Sequence, residues 1–251
     1  VEIAVKLLTI DIETRPMESR HWGIWGQNIA ISQIQKPDGL LCFAAQFHGE
    51  RKMHFASQWG DGEHAMVRAA HALFDEADAV MGWNSDKFDI PWLERCFIEH
   101  KFPQPAPFKK FDLMKAVKRH ARLPSYKLDF VARWLGVGRK IKTGGWDLWD
   151  EVLAGDRLAM ERMRKYNIQD TRLTEAVYDE LHARGWVSAP VNAAILGGRV
   201  CPHCGSEKLQ ARGYESSATR LYKRWKCITC KRWSQSVASE PERATLKRIA
   251  A

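Results

Sequence analysis

Residues 3–12, IAVKLLTIDI, form an apolar run rich in branched side chains and read as a buried strand. The run finishes in two acids, Asp11 and Glu13. Residues two apart on a strand share a face, so these acids point one way while Ile10 and Ile12 point the other. Residues 29–34 and 40–47 read as two more strands, joined through the turn KPDG. EHAMVRAAHALFDEA, residues 63–77, repeats its apolar positions at helical spacing. ADAVMGWN is a short buried strand running into a loop, and DIPWLERCFIEHK is a second helix with Pro91 in its first turn. FPQPAPFKK is a proline-rich loop, and KLDFVARWLGVG is a helix stopped by Gly136. Residues 156–185 are a long helical stretch in one or two pieces, and residues 187–198 read as a linker. Strands followed by alternating helices and strands indicate an α/β domain.

Composition refines this picture. A chain of 251 residues, 45% of them hydrophobic, suffices for one core plus a small additional module. No apolar run is long enough to span a membrane, and the first residues lack the order of a secretion signal, so a cytoplasmic location is expected. The first residue is Val rather than Met, consistent with a trimmed start. The net charge of +9 is uneven: from Arg199 onward there are 12 Lys and Arg against 4 Asp and Glu, whereas the first 198 residues hold 27 against 26. A nearly neutral body with a basic C-terminal segment suits contact with a polyanion, most simply nucleic acid.

Cys42 and Cys96 sit in apolar contexts and read as inert core residues. The other four cysteines, Cys201, Cys204, Cys227 and Cys230, have the spacing C-x2-C, 22 residues, C-x2-C. Two such knuckles supply four thiolates to one tetrahedral zinc ion and leave no open position, so the site reads as structural. The segment resembles a zinc ribbon, with LQARGYE and RLYKRWKC as its strands. Metal binding would supply folding energy that so small a piece lacks. Its strand mixes basic and aromatic residues (Tyr222, Arg224, Trp225, Lys226), and Arg232 and Trp233 extend the patch. That mixture suits phosphate contact with base stacking, though docking on a protein partner is the competing reading.

Two further stretches bear on the paired acids. GWNSDKFDIPWL carries Asp89 where a buried strand passes through a loop into a helix, and KYNIQDTRLT carries Tyr166 and Asp170 on one helix face. DIET, then Asn84 to Asp89 as N-x-x-x-F-D, then Tyr166 to Asp170 as Y-x-x-x-D, in this order, resembles the DEDD exonucleases of the tyrosine subtype. The likeness is to the proofreading domain of family B DNA polymerases and to stand-alone phage or bacterial relatives with an RNase H-like fold. SYKLDFVARWLG, residues 125–136, is similar to a helix of that group. The resemblance implies an RNase H-like mixed sheet flanked by helices. It also implies two Mg²⁺ or Mn²⁺ ions held by Asp11, Glu13, Asp89 and Asp170, with Asp11 between both ions, and Tyr166 orienting the attacking water. Four carboxylates supply the hard oxygen ligands and negative charge that such ions require.

Other candidates for nucleic-acid contact are Asn84 and Phe88 near the terminal nucleotide, and Lys127 on a phosphate. Trp22 and Trp25 follow the first motif directly, where they would either stack on a base or plug the loop onto the core. Trp146 and Trp149 carry the same ambiguity.

The resulting expectation is an RNase H-like DEDD exonuclease domain over residues 1–187, a linker at 188–198, a zinc ribbon at 199–236 and a basic tail at 237–251. The chain would be a two-metal-ion 3′–5′ exonuclease acting on single-stranded or frayed nucleic acid, DNA favoured over RNA, with one structural Zn²⁺. With about 50 residues after the nuclease region, no polymerase is expected in the same chain. Two alternatives stay open: an RNA-directed or structure-specific nuclease, and a non-catalytic tether that uses the ribbon to hold nucleic acid or protein.

Overall fold

The computed structural model describes residues 5–26, 28–188, 199–217 and 220–236. The linker positions 189–198 and the tail 237–251 lie outside them. The chain forms two compact units, one over Lys6–Ala183 and one built on the residues from Arg184 onward.

The first unit centres on a five-stranded sheet. Its strands are β1 (Leu7–Arg15), β4 (Gly39–Phe47), β5 (Met53–Ser57), β6 (Ala79–Gly82) and β7 (Lys109–Asp112). Their spatial order is β5–β4–β1–β6–β7. The pairs β4–β5 and β1–β4 are antiparallel, whereas β1–β6 and β6–β7 are parallel, so the sheet is mixed. β2 (Glu18–Ser19) and β3 (Ile34–Lys36) pair separately, within the excursion between β1 and β4.

Alternation along β1 decides which layer each side chain enters. Leu8, Ile10 and Ile12 join Leu40, Phe43 and Phe47 in one core, closed by α1 (Glu63–Glu76) and α2 (Asp89–Glu99). Cys42 of β4 lies on the opposite face, packed with Leu148 and Val152 of α5 (Trp146–Leu153) and Ala159 and Met163 of α6 (Arg157–Ala183). Asp11 and Glu13 belong to this second face, because Glu13 is registered with Cys42. α3 (Leu113–His120) and α4 (Leu128–Leu135) complete the helices. α4 ends as its sequence predicts, with Gly136 in the left-handed region at φ 74°.

The long stretch after residue 156 is one continuous helix of 27 residues. Its buried positions include Ala159, Met163, Asn167, Asp170, Thr174 and Val177, a stripe at helical spacing. Thr171 Oγ1 donates to the Ala44 carbonyl at 3.1 Å and fixes the helix to β4. The strand expected at residues 29–34 is a correction. Ile31–Gln33 form a single 3-10 turn, and only Ile34 onward is extended. Gln33 closes that turn by accepting from Ala30 N at 2.7 Å and donating to the Arg20 carbonyl at 2.9 Å.

The second unit holds a three-stranded antiparallel sheet in the order β10–β9–β8: β8 (Leu209–Ser216), β9 (Leu221–Cys227) and β10 (Trp233–Gln235). Among the described residues no helix is long and apolar enough to cross a membrane.

Candidate active site

β1 delivers Asp11 and Glu13 to the face on which α6 packs, and α6 delivers Asp170. One carboxylate oxygen from each lies within 4.8 Å of the others. A break in the β1–β4 register directly after Glu13 ends the regular pairing there. Asp170 is buried, and Asp11 and Glu13 are half-buried at the strand end.

Crowding three acids in a poorly solvated space disfavours their charged forms. Burial, followed by the charges of Glu13, Asp89 and Asp170, pushes Asp11 well above the ordinary carboxylate range. Burial and then Asp170 push Glu13 up to about 8. Asp170 is likewise raised, burial outweighing its cationic neighbour.

Asp89 begins α2 and is buried beside this group. β6 pairs with β1 only as far as Met81 with Thr9, so the Ile12 N–H has no strand partner on that side. Asp89 Oδ1 accepts from it at 3.1 Å. Burial raises Asp89 to about 7, against the lowering pull of its backbone N–H bonds. Asp89 is therefore tied to the backbone between the two strand acids, while the three-oxygen cluster itself is Asp11, Glu13 and Asp170. The chain reaches Asp89 through a tight turn after Gly82, where a Cβ would lie 2.7 Å from Ser85 Cβ and 3.0 Å from the Ile10 carbonyl oxygen.

Two residues not expected from the sequence complete the site. Asn167 is buried on α6 and donates through Nδ2 to Asp11 Oδ2 at 2.7 Å and to the Asp11 carbonyl at 3.0 Å. Its own oxygen faces the Cys42 thiol at 3.8 Å. A polar residue on the core-facing stripe of a helix was the signal that could have found it. Lys140, in the loop between α4 and α5, places Nζ 2.6 Å from Asp170 Oδ2 and 3.0 Å from the Tyr166 hydroxyl. Burial disfavours its charge, but Asp170 and Tyr166 more than restore it, so Lys140 stays protonated. That loop lies close on α6: a Cβ on Gly138 would come within 2.9 Å of Leu173 Cδ1. Its backbone is also held by Asp129, which accepts from Lys140 N at 2.9 Å. A lysine in a polar loop gives no sequence signal that it will fold inward.

Tyr166 stands one turn before Asp170. Burial and then Asp170 push its phenol up, so it keeps its proton at neutral pH. Trp149 meets it edge-on at 6.2 Å and is anchored by Nε1 donating to the Thr14 carbonyl at 3.1 Å. Trp149 therefore supports the site from the protein side, whereas Trp146 is exposed.

The donor set fits divalent cations. The ligands are hard oxygens brought within 4.8 Å of one another, and both Asp170 oxygens are buried with Lys140 and Tyr166 as their polar neighbours. Lys140 Nζ, 2.6 Å from one of them, offsets its charge.

A family profile described as the RNase H superfamily matches residues 9–182. The chain belongs to the RNase H superfamily. Among solved structures it is similar to the family B DNA polymerase from the hyperthermophilic archaeon Pyrobaculum calidifontis, with a TM-score of 0.55 and 17% identity. That match covers 72% of this chain and 25% of the polymerase, so the chain spans about a quarter of its length. At this identity the likeness concerns the fold. No curated protein matches the sequence.

The remaining candidates lie as follows in the fold. Asn84 takes a positive φ of 65° and caps the turn before α2, accepting from Lys87 N and Phe88 N. Phe88 is exposed at the start of α2, beside Asp89. Lys127 is exposed at the N-cap of α4. Trp22 and Trp25 do not plug the loop onto the core, being 102% and 88% exposed.

In the second unit Cys201, Cys204, Cys227 and Cys230 bring their sulfurs within 4.8 Å of one another. The Cys201–Cys230 and Cys204–Cys227 sulfur distances are 3.6 and 3.7 Å. A tetrahedron with Zn–S bonds of about 2.3 Å has edges of about 3.8 Å, so the four thiols fit one zinc ion. Burial opposes ionisation of Cys227, but the backbone N–H groups of Cys230 and Thr229 prevail and bring it down to about 6. The basic and aromatic candidates divide between the two sides of this sheet. Trp225 is registered with Ser234 and Ala211, while Lys226 is registered with Trp233 and Gln210, so Trp225 does not share the face of Tyr222, Arg224 and Lys226. Arg232 is half-buried, with Nε 3.5 Å from the position a Cβ on Gly185 would take.

Proposed function

We propose that this chain is a metal-dependent 3′–5′ exonuclease acting on single-stranded or frayed nucleic acid, with DNA the favoured substrate. The observation that carries this reading is the convergence of Asp11, Glu13 and Asp170 beside a tyrosine that stays protonated. Asp11, Glu13 and Asp170 would hold the divalent ions, with Asp89 beside them. Two bound Mg²⁺ or Mn²⁺ ions would supply a hydroxide at neutral pH and offset charge on the phosphate and leaving oxygen.

The chain's own groups do the positioning. Asn167 fixes the rotamer of Asp11 through two hydrogen bonds. Tyr166, held by Trp149, donates its hydroxyl proton toward the attacking water and so orients it. Lys140 donates to the Tyr166 oxygen, so the hydroxyl proton is directed away from the lysine. Phe88 presents an exposed ring next to Asp89, suited to stacking on the terminal base. The 3′–5′ polarity and the DNA preference come from the resemblance to the proofreading domains. A 5′-labelled single strand should yield a ladder that shortens from the 3′ end with Mg²⁺ or Mn²⁺. Endonucleolytic cutting, or the same ladder without divalent metal, would reject the proposal.

A further inference from the structure

The ribbon sheet has two faces, and they differ. Its described residues 199–217 and 220–236 hold nine Lys and Arg against two Glu, so the unit repels cations and attracts phosphates. On one face Arg199 and Lys223 lie over the ring of Trp225, at 4.7 and 5.3 Å, and Trp225 is half-buried. On the other, Arg224 and Lys226 lie over the ring of Trp233, at 4.5 and 5.6 Å, and Trp233 is exposed. Tyr222 shares that second face by alternation along β9. Arg212 sits there too, because its Nε donates at 3.1 Å to Gln210, whose Cα is registered with Lys226.

The strand that carries Trp233 is held from the zinc knuckle. His203, between Cys201 and Cys204, reaches the Trp233 carbonyl with Nε2 at 2.9 Å and the Ser188 hydroxyl with Nδ1 at 2.5 Å. The aromatic platform is thus fixed before any ligand arrives, which lowers the ordering cost of binding.

We propose that the Tyr222–Arg224–Lys226–Trp233 face of the ribbon is a binding site for single-stranded nucleic acid. Arg224 and Lys226 take phosphates, and the Trp233 ring with the Arg224 guanidinium plane forms the stacking surface for a base. Duplex offers phosphates but no accessible base faces, so it engages only the cationic part. The Trp225 ring lies on the opposite face, half-buried under Arg199 and Lys223. This site is separate from cleavage and stands or falls by binding alone.

The test uses the full chain, zinc-loaded, carrying Asp11→Asn so that the strand survives. Binding of fluorescein-labelled oligo(dT) and of a labelled duplex is followed by anisotropy over a series of salt concentrations. Trp233→Ala should weaken oligo(dT) binding about tenfold, leaving the salt slope and duplex binding unchanged. Arg224→Ala with Lys226→Ala should reduce the slope of log affinity against log salt by about 1.4 on single strands. Lys223→Ala, on the opposite face, should change the single-strand affinity less than twofold. Retained zinc stoichiometry confirms the fold of each variant, and the charge pair tests the site even if Trp233→Ala fails to fold. Unchanged affinity and slope in the double variant would overturn the proposal and assign the face to a protein partner. A Lys223→Ala loss equal to that of the double variant would overturn it as well. Cleavage by the Asp11→Asn chain would count against the active-site reading and leave this one to be judged on binding.

Discussion

Lys140 Nζ sits against Asp170, a proposed metal ligand, so removing it should destabilise the metal-free protein and leave the Mg²⁺-saturated protein unchanged. Its Nζ lies 2.6 Å from Asp170 Oδ2, and Asp170 is 1% exposed. Breaking a buried ion pair costs about 3–5 kcal/mol when the remaining charge has no other relief. Here Lys140 keeps 31% side-chain exposure and Asp170 can take up a proton, so about 2 kcal/mol is expected for Lys140→Met at pH 7. For a unit of this size that lowers the melting temperature by about 4–8 °C without divalent ion. Once a cation of charge two neutralises the carboxylates, the lysine contact is no longer needed, and both proteins should melt together at saturating Mg²⁺. The thermodynamic cycle then requires the variant to bind Mg²⁺ more tightly by the same about 2 kcal/mol, roughly thirtyfold. Thermal melts with and without Mg²⁺, beside calorimetric Mg²⁺ titrations, measure both legs in zinc-retaining buffer. Equal destabilisation in both conditions, or an unchanged Mg²⁺ affinity, would refute the idea that the lysine and the metal compete for Asp170.

Other expectations follow from the same geometry. Asp170→Asn should abolish metal-dependent cleavage and lower the Mg²⁺ affinity read by the same titration; unchanged cleavage would remove Asp170 from the metal site. Asn167→Leu frees Asp11 and should weaken Mg²⁺ binding about 10–100-fold, read by the same titration. Glu13 at about 8 and Asp89 at about 7 are raised above their unfolded values. The native Mg²⁺-free state then binds more protons, so the stability these two groups contribute is fully present below about pH 4 and is lost as pH rises toward 8. Urea melts across that window should show the decline, and Mg²⁺ should remove most of it. Trp22→Ala with Trp25→Ala should leave stability within about 0.5 kcal/mol, since both rings are more than four-fifths exposed; a larger loss would mean that the arm is a structural plug.

The sheet and its paired acids were legible because β1 alternates through Ile10–Glu13, β4 is a continuous apolar run, and α1 and α2 repeat their apolar positions at helical spacing. Elements with weak or mixed patterns were not. β5 (MHFAS) and β7 (KKFD) are short edge strands whose outer positions are partly exposed, and α3 (LMKAVKRH) buries only Leu113 and Val117. The stretch IAISQI alternates as a strand does, yet Gln33 side-chain bonds to Ala30 N and the Arg20 carbonyl turn it into a 3-10 turn. At the site, the order of the three motifs marked Asp11, Glu13 and Asp170, and their oxygens converge. Lys140 was invisible because its role depends on how a glycine-containing loop lies on α6. The zinc cluster was legible because ligand spacing alone defines it, whereas the separation of Trp225 from Trp233 required the strand register.

Incubating 5′-labelled single-stranded DNA and RNA with the protein, with Mg²⁺, Mn²⁺ or no divalent ion, beside Asp11→Asn, asks whether the acidic cluster cuts nucleic acid. If the acidic cluster is the catalytic centre, a metal-dependent ladder shortens from the 3′ end, favours DNA and vanishes in the variant. Cleavage that persists in Asp11→Asn, or intact strands in every lane under conditions where the strand is bound, would contradict it.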